Sequence, residues 1–395
     1  MLEILWIILG CVLAMATIAG TLELLMLTIA GLLPRRRVES TKFKLLNLAV
    51  VIPAHNEEAS IARCIRSLHR CERARSWFSI VVVADNCTDS TAEVARENGA
   101  RALIRNDATK RGKGYALDFA FKTLIKEGFE EFIVIDADSE VEPNMIHTFR
   151  ELFEDGADAI QCRYTVNNAD VSIRTRLMNV ALLAFNVLRP RGRDRLGFSV
   201  GLLGNGFGLT RDTLVNVPYD AVSVVEDLEY HIRLVRAGRK VRFADGTSVK
   251  AEMPTGGKGA RTQRARWEGG RFRTIASSAP GLAVRVLKGE LNLIEPLFEL
   301  LLLPLAFHVL LLLAALIPPF APSRIYAAAG LGVVALHIVA ALWVGGGGFK
   351  DIWALACAPF YIVWKAALLP KMLLASKKDA EWVRTERAGT EGGRV

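Results

Sequence analysis

The sequence predicts an α/β domain built on a parallel sheet and set between membrane-spanning α-helices. Two observations carry this expectation. Hydrophobic residues make up 51% of the 395-residue chain while 23% are charged, and the two kinds are segregated, with long apolar blocks near either end. Between those blocks, short apolar runs of strand length alternate with stretches of helical periodicity, the pattern of a sheet with helical crossovers.

The first block, Leu2 to Leu33, is interrupted only by Glu3 and Glu23, and roughly 20 apolar residues span a bilayer. A signal peptide would have a shorter apolar core with positive charge before it. Here the charge comes after, at Arg35, Arg36 and Arg37. Residues 1–34 therefore read as an uncleaved anchor, with the arginines and the domain C-terminal to them in the cytoplasm.

Residues 46–275 read as the soluble, cytoplasmic domain. Strands are expected at Leu48–Ile52, Ile80–Ala84, Phe132–Ile135 and Ala159–Cys162, and helices at Glu57–Arg70, Ser90–Asn98 and Gly114–Lys126. In such sheets ligands bind beyond the carboxyl ends of the strands. Residues 276–296 read as interfacial and 297–374 as a membrane region of two or three spans. Leu297–Ile317 and Ile325–Val344 are span candidates. Ile352–Leu374 is interrupted by Pro359, Lys365 and Pro370, and reads equally as a helix along the interface. Lys377 and Lys378, in the polar tail of residues 375–395, favour the inside.

The formal net charge of +9, beside apolar blocks, suits membrane lipids and phosphate-bearing substrates. No nucleic-acid-binding module is recognisable, which argues against nucleic acid as a partner. The six cysteines form no C-x-x-C pair and no zinc spacing, as expected of reduced thiols in a cytoplasmic domain.

Polar clusters fall at the strand ends. Asp136-Ala137-Asp138 comes directly after Phe132–Ile135. Two carboxylates at a strand end suit a hard cation such as Mg2+ or Mn2+, although a solvated loop carries the same pattern. Asp85 ends the second strand and suits a base or ribose, while Thr88 or Asp89 suits the cap of the next helix. Pro53-Ala54-His55-Asn56-Glu57-Glu58 comes after the first strand, with Asn56 as a candidate cap and Glu57 in the first turn. Arg105, Lys110, Arg111 and Lys113, with Gly112 and Gly114, form a basic glycine-containing loop suited to a diphosphate or to solvent. Glu226-Asp227 opens an amphipathic helix, where acidic residues suit the helix dipole or a general base. Gln263, Arg266 and Trp267 lie at i, i+3 and i+4, on one helical face. They suit a phosphate and a sugar ring.

In order and spacing these marks resemble the membrane-type family 2 inverting glycosyltransferases, the group that includes cellulose, chitin and hyaluronan synthases. The resemblance covers about residues 48–270. It implies a GT-A (Rossmann-like) glycosyltransferase domain, a hexosyl- or N-acetylhexosaminyltransferase with a metal-dependent single displacement, and a nucleotide-sugar donor, with UDP as the usual carrier. By the same resemblance Pro53, His55, Glu57, Asp85, Lys113, Asp136, Gln263 and Arg266 would bind the nucleotide sugar, and Asp136 and Asp138 the metal. Asp227, with Glu226, would act as general base. Gly204, Asn205, Gly206 and Trp267 would meet a lipid-linked or glycan acceptor. The implied setting is the bacterial cytoplasmic membrane, in polysaccharide or envelope-glycan synthesis. The chain lacks the regulatory barrel and many spans of the large synthases, so both single addition and processive synthesis with export remain open.

Overall fold

The structure, a computed structural model, describes residues 1–34, 47–71, 78–220, 226–253 and 257–367, with the side chains of 257–268, 271 and 365 outside that description. The chain forms two compact units. One comprises Pro34–Asn168 and Gly197–Glu252. The other comprises Met1–Leu33, Ala169–Leu196 and Met253–Val395.

Among the described residues the first unit is organised by eight strands: β1 (Leu48–Ala54), β2 (Phe78–Asp85), β3 (Arg101–Arg105), β4 (Glu131–Val134), β5 (Ser139–Val141), β6 (Ala159–Val166), β7 (Phe207–Thr210) and β8 (Val241–Ala251). Their order in the sheet is β3-β2-β1-β4-β7-β6-β8-β5. The four runs expected from sequence are β1, β2, β4 and β6. Alternation of side chains across the sheet sends Leu48, Val50 and Ile52 to one core layer and Ala49 and Val51 to the other. The first layer is closed by Ile61, Ile65 and Leu68 of helix Ile61–His69 and by Phe149 of helix Met145–Glu154. The second is closed by Leu117, Phe121 and Leu124 of helix Lys113–Lys126. Burial on both faces explains why these strands read as continuous apolar runs rather than alternating ones.

The expected all-parallel sheet is corrected in one half. β3, β2, β1 and β4 are parallel, but β7 runs antiparallel to both β4 and β6, and β5 antiparallel to β8. The short β7 comes after the excursion of residues 169–196 into the other unit, and the chain returns to the sheet in the reverse direction. Nothing in Phe207-Gly208-Leu209-Thr210 signals that direction. The helix expected from Glu57 begins instead at Ile61, with Ser60 at its N-cap.

Gly206 enters β7 at φ +68°, in the left-handed region that glycine adopts without strain. A Cβ there would collide with Cys162 Sγ and lie 2.7 Å from Val249 Cγ1. Gly206→Ala is expected to cost roughly 2–4 kcal/mol, from left-handed strain and overpacking together. Thermal melts of the detergent-solubilised protein check this, and an unchanged melting temperature would remove the packing account.

In the second unit, helices Leu2–Leu32 and Ala321–Gly345 are each long and apolar enough to cross a membrane. The candidate Leu297–Ile317 is not one straight span: helices Leu291–Leu301 and Leu305–Ala315 meet at 77°. Pro304 is the cause, because it lacks an N–H and disfavours helical backbone in the residue before it. Helices Phe349–Leu355 and Ala358–Ala367 occupy the described part of the next apolar stretch, and the rest, with the tail, lies outside the described residues. Polar side chains knit the N-terminal helix to its neighbours. Thr17 Oγ1 lies 2.9 Å from Tyr326 Oη, Thr21 Oγ1 3.1 Å from His308 Nε2, and Thr28 Oγ1 2.7 Å from His337 Nδ1. Such pairings satisfy polar atoms that an apolar surrounding would otherwise leave unmet.

Candidate active site

The polar residues of the first unit collect beyond the carboxyl ends of β1, β2 and β4, and they form two groups. The first lies at β1 and β2. Pro53 sits past Val51, the last β1 residue paired with β4, so its missing N–H breaks no rung on that side. Asn56 and Asn86, just beyond β1 and β2, adopt φ +55° and +51°, a conformation that asparagine tolerates. Asn56 Oδ1 accepts from the Thr88 N–H at 2.8 Å, and Asn86 Oδ1 from the Asp107 N–H at 2.9 Å. These bonds lace the loops together. Asn56 therefore braces a neighbouring loop rather than capping the helix. Asp89 Oδ1 accepts from the Thr91 N–H at 3.1 Å, an Asx turn leading into helix Thr91–Glu97, whose N-cap is Ser90 rather than Thr88 or Asp89.

His55 Nδ1 lies 2.8 Å from the Asp85 carbonyl oxygen. A carbonyl only accepts, so Nδ1 carries the proton. The Glu57 carboxylate accepts from Ser60 Oγ at 2.6 Å. Asp85 is buried. Its Oδ1 accepts from Arg105 Nη1 at 2.5 Å and from Asn86 Nδ2 at 3.0 Å. Arg105, expected on a flexible basic loop, is instead the buried last residue of β3, where it also reaches Asp107 at 3.2 Å.

The second group is centred on Lys113. Its ammonium pairs with the Asp136 carboxylate and donates to the Gly204 carbonyl at 2.5 Å. A lysine at a helix N-terminus faces the unfavourable end of the dipole, so the neighbouring anions must hold it there. Burial opposes its charge, but Asp136, Glu226 and Asp227 outweigh that and raise its pKa above the ordinary value. Gly204, at φ +76°, lies close against Asp227: a Cβ there would stand 3.2 Å from Asp227 Oδ2 and press on that carboxylate. Lys113, Asp136, Gly204 and Asp227 thus form one cluster.

Glu226 and Asp227 open helix Glu226–Arg236. Burial, and then the adjacent Asp227 charge, push Glu226 up to about 7, and Asp227 is raised as well, by burial first. A carboxylate whose folded pKa lies above its unfolded one stabilises the fold while protonated. That contribution is complete below the unfolded value and is lost as pH rises through the folded one. The ligand-free protein is therefore expected to melt progressively lower as pH rises from about 5 to about 8, with Glu226→Gln flattening the profile. A melting profile that is the same for both proteins would exclude the crowding of these carboxylates.

Ala137 is buried in the core, while Asp136 and Asp138 stand half-buried on either side of it. The turn they occupy is braced from within. The Asp136 N–H donates to Asn205 Oδ1 at 3.0 Å, Asn205 Nδ2 donates to Ser139 Oγ at 2.9 Å, and Ser139 Oγ donates to Asp138 Oδ1 at 3.2 Å. Asn205 and Ser139 are buried. Gln161, also buried, accepts from the Leu203 N–H at 2.9 Å and donates to the Asn205 carbonyl at 2.8 Å. Gln161 and Ser139 are absent from the site residues that the sequence suggests. The available signal was a polar residue inside the apolar run Ala159–Cys162, since a buried amide needs partners. Gln263, Arg266 and Trp267 lie on helix Gly257–Leu287 of the other unit, and their side chains are outside the described residues.

Comparison with known proteins gives the family and the fold. A family model described as "Glycosyltransferase like family 2" matches residues 47–270, more than half of the chain. The chain belongs to glycosyltransferase family 2. This family member is 26% identical over 236 residues to the probable glycosyltransferase YdaM of Bacillus subtilis (strain 168), covering 58% of this chain and 56% of that protein. It is 27% identical over 245 residues to the beta-monoglucosyldiacylglycerol synthase of Nostoc sp. (strain PCC 7120 / SAG 25.82 / UTEX 2576), covering 60% and 52%. The chain thus spans little more than half the length of these two relatives. Its structure is similar to that of the mannosyltransferase PcManGT from Pyrobaculum calidifontis, solved with GDP-Man and Mn2+. The TM-score is 0.56 at 16% identity, over 94% of this chain and 99% of that one. That likeness establishes the GT-A fold.

Proposed function

We propose that the protein is an inverting transferase that moves a glycosyl group from a nucleotide sugar to a lipid-linked or growing glycan acceptor at a membrane. The observation that carries this reading is the cluster of Lys113, Asp136, Gly204 and Asp227, with Glu226 beside it, beyond the carboxyl end of β4. A cation set among carboxylates, next to a glycine backbone, suits a substrate that brings a diphosphate and a sugar together.

In this reading Pro53, His55, Glu57 and Asp85 border the nucleotide, with His55 offering a ring of defined tautomer. Lys113 supplies positive charge near the diphosphate. Asp136 and Asp138 are hard oxygen donors fit for Mg2+ or Mn2+, and the Asp138 carboxylate is already oriented by Ser139. When bound, the cation would neutralise charge on the departing diphosphate. Asp227 takes the proton from the acceptor hydroxyl as that oxygen bonds to the anomeric carbon and the bond to the diphosphate oxygen breaks. Gly204 lies beside Asp227 on the acceptor's path, with the buried Asn205 and Gly206 behind it. The apolar helices hold the enzyme on the bacterial cytoplasmic membrane, with the catalytic unit on its inner face.

We favour single addition to a lipid acceptor over processive synthesis and export of a β-glycan in the manner of the cellulose, chitin and hyaluronan synthases. The glycolipid synthase among the relatives supports this choice. UDP is the expected carrier, and the GDP-Man in the PcManGT complex makes GDP the alternative. The test is nucleotide release by purified protein in nanodiscs with Mn2+ or Mg2+, a panel of UDP- and GDP-sugars and a total lipid extract, with the product then sized. One sugar added to a lipid is the expected outcome. A polymer ladder would replace single addition by synthesis, and no release from any donor would count against the transferase reading of this site.

A further inference from the structure

We propose that Gln161 is a positioning residue for glycosyl transfer, holding the Asp136-Ala137-Asp138 turn and the segment beside Asp227 in one fixed relation. This rests on the roles proposed above for Asp136, Asp138 and Asp227. Gln161 belongs to β6 and is completely buried, so it touches solvent and substrate nowhere. Its amide is instead spent on a single stretch of backbone and its own strand. Oε1 accepts the Leu203 N–H at 2.9 Å, while the two hydrogens of Nε2 are shared among the carbonyls of Asn205 at 2.8 Å, Gly206 at 3.1 Å and Cys162 at 3.0 Å.

That stretch connects both halves of the site. Gly204, between two residues that Gln161 binds, gives its carbonyl to Lys113 and its open face to Asp227. Asn205 carries the constraint onward: its side chain holds the Asp136 N–H and, through Ser139 Oγ, the Asp138 carboxylate. One buried amide therefore fixes the Gly204 segment, which lies against Asp227, relative to the carboxylates that face the diphosphate. Gly206, confined by Cys162 and Val249, stops the segment from relaxing outward. Hydrogen-bonded supports of this kind commonly change metal affinity or activity by about 10–100-fold when removed.

The experiment compares wild type with Gln161→Met, which keeps the length and loses the amide, and Gln161→Glu, which sets a carboxylate against three carbonyls. Both are expected to lower kcat about 10–100-fold and to weaken Mn2+ binding, read by electron paramagnetic resonance in the presence of the nucleoside diphosphate, by a similar factor. The Gln161→Glu loss is expected to shrink at lower pH, where the protonated acid again donates, while the Gln161→Met loss is not. Folded variants with kcat and Mn2+ affinity within about twofold of wild type would overturn the proposal. If neither variant folds, hydrogen exchange of the wild type decides it: slow exchange at Leu203 is expected, and exchange as fast as in an exposed loop overturns it. A wild type that releases nucleotide from no donor sinks the transferase reading, while Mn2+ binding and hydrogen exchange still test the clamp.

Discussion

Asp227→Asn is expected to lower kcat by about 10²–10⁴-fold, the usual contribution of general-base catalysis, while nucleotide affinity stays within about twofold. The substitution keeps the size of the side chain and its bond from the Leu228 N–H, and it removes only the basic oxygen. The acceptor hydroxyl would then have to leave its proton to water in a site that Gly204 and Lys113 help to close. The measurement is a donor and acceptor titration of both proteins, with nucleotide binding measured separately. Turnover within a few-fold of wild type would move the base elsewhere, with Glu226 the next residue to test. A parallel loss of nucleotide binding would instead make Asp227 part of the donor site.

Arg193→Met is expected to destabilise the helical unit by about 3–5 kcal/mol, the cost of breaking a buried ion cluster by removing one partner. The Arg193 guanidinium is 3% exposed and meets Glu23 at 2.9 Å, Glu295 at 2.5 Å and Glu299 at 3.1 Å. One cation therefore joins the N-terminal helix, helix Arg189–Leu196 and helix Ile294–Leu301. Without it, three carboxylates crowd together in an apolar surrounding. Combining Arg193→Met with Glu23→Gln, Glu295→Gln and Glu299→Gln is expected to recover much of the loss, because the uncompensated charge goes as well. Thermal unfolding in detergent, monitored by fluorescence, reads both. If the single variant melts like wild type, the cluster contributes specificity rather than stability.

Much of this was legible in the sequence. The runs at β1, β2, β4 and β6, the helix from Lys113 and the apolar helices at the two ends are local features, fixed by the period and length of apolar residues. The loop marks at Pro53, Asp85, Asp136 and Glu226 drew attention because an open α/β sheet binds its ligands beyond the carboxyl ends of its strands. Glu23 was visible as a charge in an apolar run, and such a charge demands a partner. That partner lies 170 residues away, beyond the reach of periodicity. The reversed direction of β7 was equally hidden, because four residues pair as readily either way until the chain around them is placed.

The sequence by itself determined the α/β domain, its apolar flanks and the residue types on which chemistry is possible, since burial period and strand-end position are properties of neighbouring residues. Only the tertiary structure decided that Lys113 lies against Asp136 and Gly204, that Arg105 is spent on Asp85, and that Gln161 and Asn205 brace the turn between them. Those contacts join residues from tens to nearly a hundred positions apart, and their geometry comes from close packing of distant segments, which no local pattern encodes.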